Sequence, residues 1–123
     1  MKYENDFVLK EEVEFEIEDK KFTYKPVTAD DELEWVNEYI EVIDGKAVQN
    51  LKKKTQCKLR NILKVPYDKE LINKVIKINK DWKDLNKEER NSFLGKLRPA
   101  FFDKIIVKIN EIDSSTNKEV KKN

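Results

Sequence analysis

From Val13 to Tyr24 apolar and polar residues alternate with a period of two, and after Thr28 the apolar spacing changes to three and four. That change of period requires both strand and helix. Val13-Glu-Phe-Glu-Ile17 and Phe22-Thr-Tyr-Lys25, joined by the polar stretch Glu18 to Lys21, read as a β-hairpin with one buried face. Val13, Phe15, Ile17, Phe22 and Tyr24 should face inward, with Glu12, Glu14, Glu16 and Glu18 in water. Phe7-Val-Leu9 suggests a short preceding strand.

Pro26 ends the second strand, and Thr28, three residues before Asp31, opens a helix in a pattern close to a capping box. The spacing predicts a first helix over 29–43, with Leu33, Val36, Ile40 and Ile43 on one stripe, Trp35 and Tyr39 beside it, and Asp44-Gly45 as its stop. Val48, Leu51, Thr55, Leu59 and Ile62 predict a second helix over 47–64, ended by Pro66. Asp68 caps a third helix burying Leu71, Ile72, Val75 and Ile76, and Asp81 to Leu85 is a connector. Asn86 with Glu89 opens a fourth carrying Phe93, Leu94 and Leu97. Pro99 breaks that helix and fits the first turn of a fifth, which buries Phe102, Ile105, Ile106, Ile109 and Ile112.

The expected fold is α+β: an N-terminal antiparallel β-hairpin packed on a bundle of four or five helices, one domain over 1–113, with a polar, frayed tail over 114–123. Its core would hold Phe15, Ile17, Phe22, Leu33, Val36, Ile40, Leu59, Ile62, Leu94, Phe102, Ile105 and Ile109. At 123 residues the chain can bury one core but not two.

Composition removes several function classes. The chain has one cysteine and no histidine, so an intramolecular disulfide, a Cys/His zinc site and a histidine-based triad are excluded. Glycine occurs only at 45 and 95, too sparsely for a phosphate-binding loop of either nucleotide class. Carboxylates are abundant, yet no arrangement singles out an acid and a base. No catalytic residue, metal site or cofactor is therefore assigned, and the expectation is a non-enzyme. Glu4, Asp6 and Lys10 interrupt the first apolar stretch, and no run approaches the roughly 20 apolar residues of a membrane span. No membrane partner is expected, and the expected compartment is the cytoplasm.

Charge makes up 41% of the chain and is segregated. Residues 1–45 hold five Lys/Arg against fifteen Asp/Glu, whereas 46–65 hold seven Lys/Arg and no acid. Lys46, Lys52, Lys53, Lys54, Lys58, Arg60 and Lys64 could track a nucleic-acid backbone by releasing counterions. They could equally form a solvated face complementing the acidic third, the reading favoured where no base-stacking motif adjoins them. The glutamate ladder 12, 14, 16, 18 could hold a cation or basic partner, but lacks the ligands and central glycine of an EF-hand loop and matches the wet face of a hairpin. Cys57, near Lys54 and Lys58, is either an activated thiol or, as most thiols are, a small hydrophobe. Trp35, Tyr39 and Trp82 suit either core or a binding surface. The candidate partner contacts are Lys52, Lys53, Lys54, Lys58, Arg60 and Trp82.

Two stretches carry a resemblance. One runs from Val13 to Glu32, an alternating hairpin and polar helix start; the other runs from Trp82 to Pro99 and leads into the isoleucine-rich helix. With the order of elements, they resemble the tail assembly chaperones of long-tailed bacteriophages and related proviruses. The resemblance implies a small, non-enzymatic, α-helical or α+β protein that binds the tape-measure or tail-tube protein before assembly, in the host cytoplasm if phage-encoded. The alternative is a small nucleic-acid-binding or regulatory module using the basic helix at 46–65, and a general scaffold or adaptor comes third.

Overall fold

A computed structural model describes residues 2–115 of the chain. The alternating segment forms an antiparallel hairpin of β1 (Val13–Ile17) and β2 (Lys20–Tyr24), pairing Val13 with Tyr24 and Phe15 with Phe22. Its turn is tighter than expected, because only Glu18 and Asp19 separate the strands. Both take left-handed angles, with φ of 51° and 67°, as a two-residue hairpin turn of this twist requires. Phe15, Ile17, Phe22 and Tyr24 are buried and Val13 is half-buried, while Glu12, Glu14, Glu16 and Glu18 are exposed.

Five α-helices follow among the described residues: α1 (Ala29–Tyr39), α2 (Leu51–Leu59), α3 (Lys69–Ile76), α4 (Lys87–Leu94) and α5 (Pro99–Ser115). The α+β architecture is as the periodicity predicts. Helix starts follow local chemistry closely. Thr28 Oγ1 accepts from the Asp31 N–H while Asp31 Oδ2 accepts from the Thr28 N–H, and Asn86 and Glu89 repeat the box before α4. Asp68 caps α3 at the Leu71 N–H, and Pro99 opens α5.

Three further strands were not expected. The first helix stops at Tyr39; Ile40–Ile43 is β3, and it pairs with β4 (Lys46–Gln49) across Asp44-Gly45. The run Ile-Glu-Val-Ile is rich in β-branched residues, which lose rotamer freedom in a helix. Asp-Gly between such residues is a hairpin signal: Asp44 and Gly45 have φ of 53° and 78°, so they form a strand turn rather than a helix stop. The predicted helix over 47–64 therefore shortens to α2, capped by the Asn50 side chain at the Lys53 N–H. Ile62–Lys64 becomes β5, which pairs with β2 and gives a three-stranded sheet in the order β1-β2-β5. The expected strand at Phe7–Leu9 is irregular chain after a 3-10 turn over Lys2–Asp6. Ser114 and Ser115 belong to α5, and the rest of the expected tail lies outside the described residues.

The main core lies between the three-stranded sheet and helices α3, α4 and α5. Phe22, Tyr24, Ile62, Ile72, Leu94, Ile105 and Ile109 are fully buried. A relay of aromatic rings crosses it: Phe15 stacks on Phe22 at 5.2 Å, Phe22 meets Tyr67 edge-on, Tyr67 meets Phe93, and Phe93 meets Trp82. A second, smaller cluster joins Trp35 and Tyr39 of α1 to Cys57 of α2, with Val36 and Ile40 against it. Four of the expected core positions differ. Leu33 is 71% exposed because α1 buries its Trp35/Tyr39 face instead, and Val36, Ile40 and Phe102 are only half-buried. Leu94→Ala should cost about 2–5 kcal/mol by leaving a cavity, and Leu33→Ala should stay within about 0.5 kcal/mol of wild type, both read by urea unfolding.

Candidate protein-interaction site

The basic segment at 46–65 is folded against the acidic third of the chain. Lys53 Nζ lies 3.1 Å from Glu41 Oε2, and Lys54 Nζ lies 3.6 Å from Glu32 and over the Tyr39 ring. Arg60 grips Glu38 with both terminal nitrogens, its Nη1 at 2.9 Å from Oε2. Lys58 turns to α5, 2.8 Å from Asp113 and 2.6 Å from Asn110 Oδ1. Four of the seven cations are thus neutralised by carboxylates, which leaves Lys46, Lys52 and Lys64 without an ion pair among the described residues. The Arg60 hydrogen bond holds Glu38 below its usual range, and the Glu38 contact raises Arg60 further.

Trp82, a candidate partner contact in the sequence, is not at the surface. It is 5% exposed, its Nε1 donates to the Ile62 carbonyl at 3.0 Å, and the Arg90 guanidinium covers its ring at 4.8 Å. Its surroundings in sequence are charged because it sits in a one-turn 3-10 segment, Trp82–Asp84, that dips into the core between polar residues. Cys57 is buried, and burial pushes its thiol above the usual range, contrary to activation by the neighbouring lysines. Of the glutamate ladder, Glu18 binds Lys104 at 2.7 Å. Among the described residues no group of three Cys, Asp or Glu is placed to hold a metal ion, and no helix is long and apolar enough to cross a membrane.

The signal that charge-based reading missed is the β3–β4 ribbon. Direct cross-strand partners share a face, so Ile40, Val42, Ala47 and Gln49 lie on one side and Glu41, Ile43, Lys46 and Val48 on the other. Ile40 is half-buried against the Trp35 cluster, but further out Val42 is 75% exposed, and Ile43 and Val48 are exposed on the opposite face. Leu51, at the start of α2, is 72% exposed beside the ribbon's base and lines a groove of about 410 Å³ walled by Leu59, Gly95 and Phe102. Asp44-Gly45 between β-branched residues could have revealed this ribbon.

Comparison with protein-family models, with curated proteins and with solved structures finds no match to this chain.

Away from the ribbon, the N-terminal end of α1 is held by Asp31. Burial alone would raise its pKa, but the Thr28 N–H, Lys25 at 3.1 Å and the Asn61 amide together bring it below the usual carboxylate range. A depressed folded-state value means that the unfolded chain takes up the proton first. The stabilisation is therefore complete above the ordinary aspartate range and is lost as pH falls through the folded value. Asp31→Asn should destabilise the protein at about pH 7, and the difference from wild type should shrink steadily as the pH is lowered below the ordinary aspartate range, as a series of urea titrations would record.

Proposed function

We propose that this chain is a non-enzymatic assembly chaperone of the phage or provirus tail class, binding a structural client such as a tape-measure or tail-tube protein in the host cytoplasm. The observation that carries the reading is the ribbon: in a chain that is 41% charged, Val42, Ile43 and Val48 stand in water on both faces of a two-stranded arm. Apolar residues clustered on a surface mark contact with another protein. Physically, the arm would cover an aggregation-prone strand or helix of the client until polymerisation took its place. The resemblance of residues 13–32 and 82–99 supplies the class of client. The internal pairing of Lys53, Lys54, Lys58 and Arg60 leaves little uncompensated charge for phosphates, which weighs against the nucleic-acid alternative.

Co-expression with a tail-tube or tape-measure protein should raise that client's soluble fraction. Val42→Glu with Ile43→Glu should remove the gain and leave the melting temperature close to wild type, since both side chains are exposed and face Ala47 and Lys46 across the ribbon. No effect of the wild-type chain on any tail client, together with tight nucleic-acid binding that weakens steeply with salt, would replace this reading with the nucleic-acid one.

A further inference from the structure

All four residues of β4 are exposed, and among the described residues β4 has a strand on one side only. Its free edge has a definite pattern. The register pairs Ile43 with Lys46 and Glu41 with Val48, and the Asn50 N–H donates to the Tyr39 carbonyl at 2.7 Å. Antiparallel ladders alternate hydrogen-bonded and non-bonded pairs, so these three are the bonded ones. The N–H and C=O groups of Ala47 and Gln49 consequently point away from β3. The outer edge of β3 offers less, because the Ile40 N–H is already given to the Val36 carbonyl of α1.

We propose that two copies of the chain pair antiparallel through this edge of β4, forming a four-stranded sheet β3-β4-β4-β3 about a two-fold axis. The free groups fix the register. Pairing Ala47 with Gln49 of the second copy, and Gln49 with Ala47, uses all the outward N–H and C=O groups of both strands. Val48 then lies directly opposite Val48 of the second copy. An axis centred on Ala47 would set Gln49 against the Asp44-Gly45 turn, and one centred on Gln49 would set Ala47 against the start of α2; each forfeits half of the bonds.

Charge fits the same register. Lys46 falls across from Asn50, so no like charges meet, and Asp44 at the tip of one ribbon is carried toward Lys52 and the first turn of α2 in the second copy. Among the described residues neither Asp44 nor Lys52 has an ion pair of its own. The first turn of α2 contains no acidic residue, so an incoming carboxylate would complement that end of the helix. Of the usual guards against such pairing the edge has its shortness and Lys46, but no proline and no bulge. Its small extent places the contact in the weak, reversible class. The pairing uses the backbone edge of β4 and no client, so its failure would leave the assembly role to be judged on its own experiment.

Sedimentation of the full chain from micromolar to millimolar concentration should show a monomer passing into a dimer. Ala47→Pro removes an outward N–H while sparing every bonded pair of the ribbon, and should keep the chain monomeric with an unchanged melting temperature. Val48→Cys should oxidise rapidly to a disulfide-linked dimer, since directly opposed non-bonded positions have the right separation, whereas Gln49→Cys should not. The native thiol Cys57 is buried and stays out of the reaction. A monomer at every concentration, equal cross-linking of the two cysteine variants, or a dimer that survives Ala47→Pro would overturn the proposal; should Ala47→Pro fail to fold, the cysteine pair decides alone.

Discussion

Asp113, near the end of α5, carries an unusual share of the tertiary structure. Through Oδ2 it accepts the Tyr24 hydroxyl at 2.8 Å, through Oδ1 the Val27 N–H at 2.9 Å, and Lys58 lies 2.8 Å away. One carboxylate thus ties together the end of β2, the entry to α1, the last turn of α2 and the longest helix. Both Asp113 and Lys58 are largely shielded from water, so removing either would leave its partner's charge uncompensated in a poorly solvated place. Burial, with the adjacent carboxylate, pushes Tyr24 well above the usual tyrosine range, so its hydroxyl remains a donor at any ordinary pH. With these ends fixed, β2 can lie between β1 and β5 and the isoleucines of α5 can settle on the sheet.

Asn61 repeats this logic on the other side of β2. Its carbonyl accepts from the Lys25 N–H at 2.7 Å, and its amide donates to the Lys25 carbonyl and to Asp31. A buried asparagine thereby joins β5 to the capping box of α1. The same carboxylate that begins the helix also receives Lys25, so sheet and helix are set relative to each other by a few charged groups rather than by apolar packing alone. This suits a chain with a lean core.

Features carried by adjacent residues were legible in the sequence. Thr28 with Asp31, Asn86 with Glu89, Asp68 and Pro99 each fixed a helix start, because a cap needs only residues within one turn. The stripe Leu33, Val36, Ile40, Ile43 was a misleading signal: its period is helical, but Ile40 and Ile43 are β-branched and precede an Asp-Gly turn, while Trp35 and Tyr39 form the buried face. The charge segregation between residues 1–45 and 46–65 was visible, and so was its bland interpretation as mutual neutralisation. What no local pattern could give was the individual pairing, since Lys58 finds Asp113 and Arg60 finds Glu38 only after the chain has folded. Trp82 was obscure for the same reason, its partners Ile62 and Phe93 being distant in sequence.

The two hairpins have the same two-residue, left-handed turn but rest on different foundations. β1–β2 places a whole face on the core and has β5 alongside. β3–β4 touches the body mainly at its base, where Ile40 meets the Trp35 cluster; Val42, on the same face two residues on, is already in solvent. At about 3.3 Å per residue the ribbon leaves the body within that step. An isolated two-stranded hairpin is marginal in water, so the base must supply the stability. There Glu41 accepts from both Lys53 and Asn50, and Asn50 in turn caps α2 and bonds the Tyr39 carbonyl. These contacts order the arm without using any of its outer side chains. Among the described residues Val42, Ile43 and Val48 belong to neither core cluster, and under the proposed function their apolar character is left for a contact outside the chain.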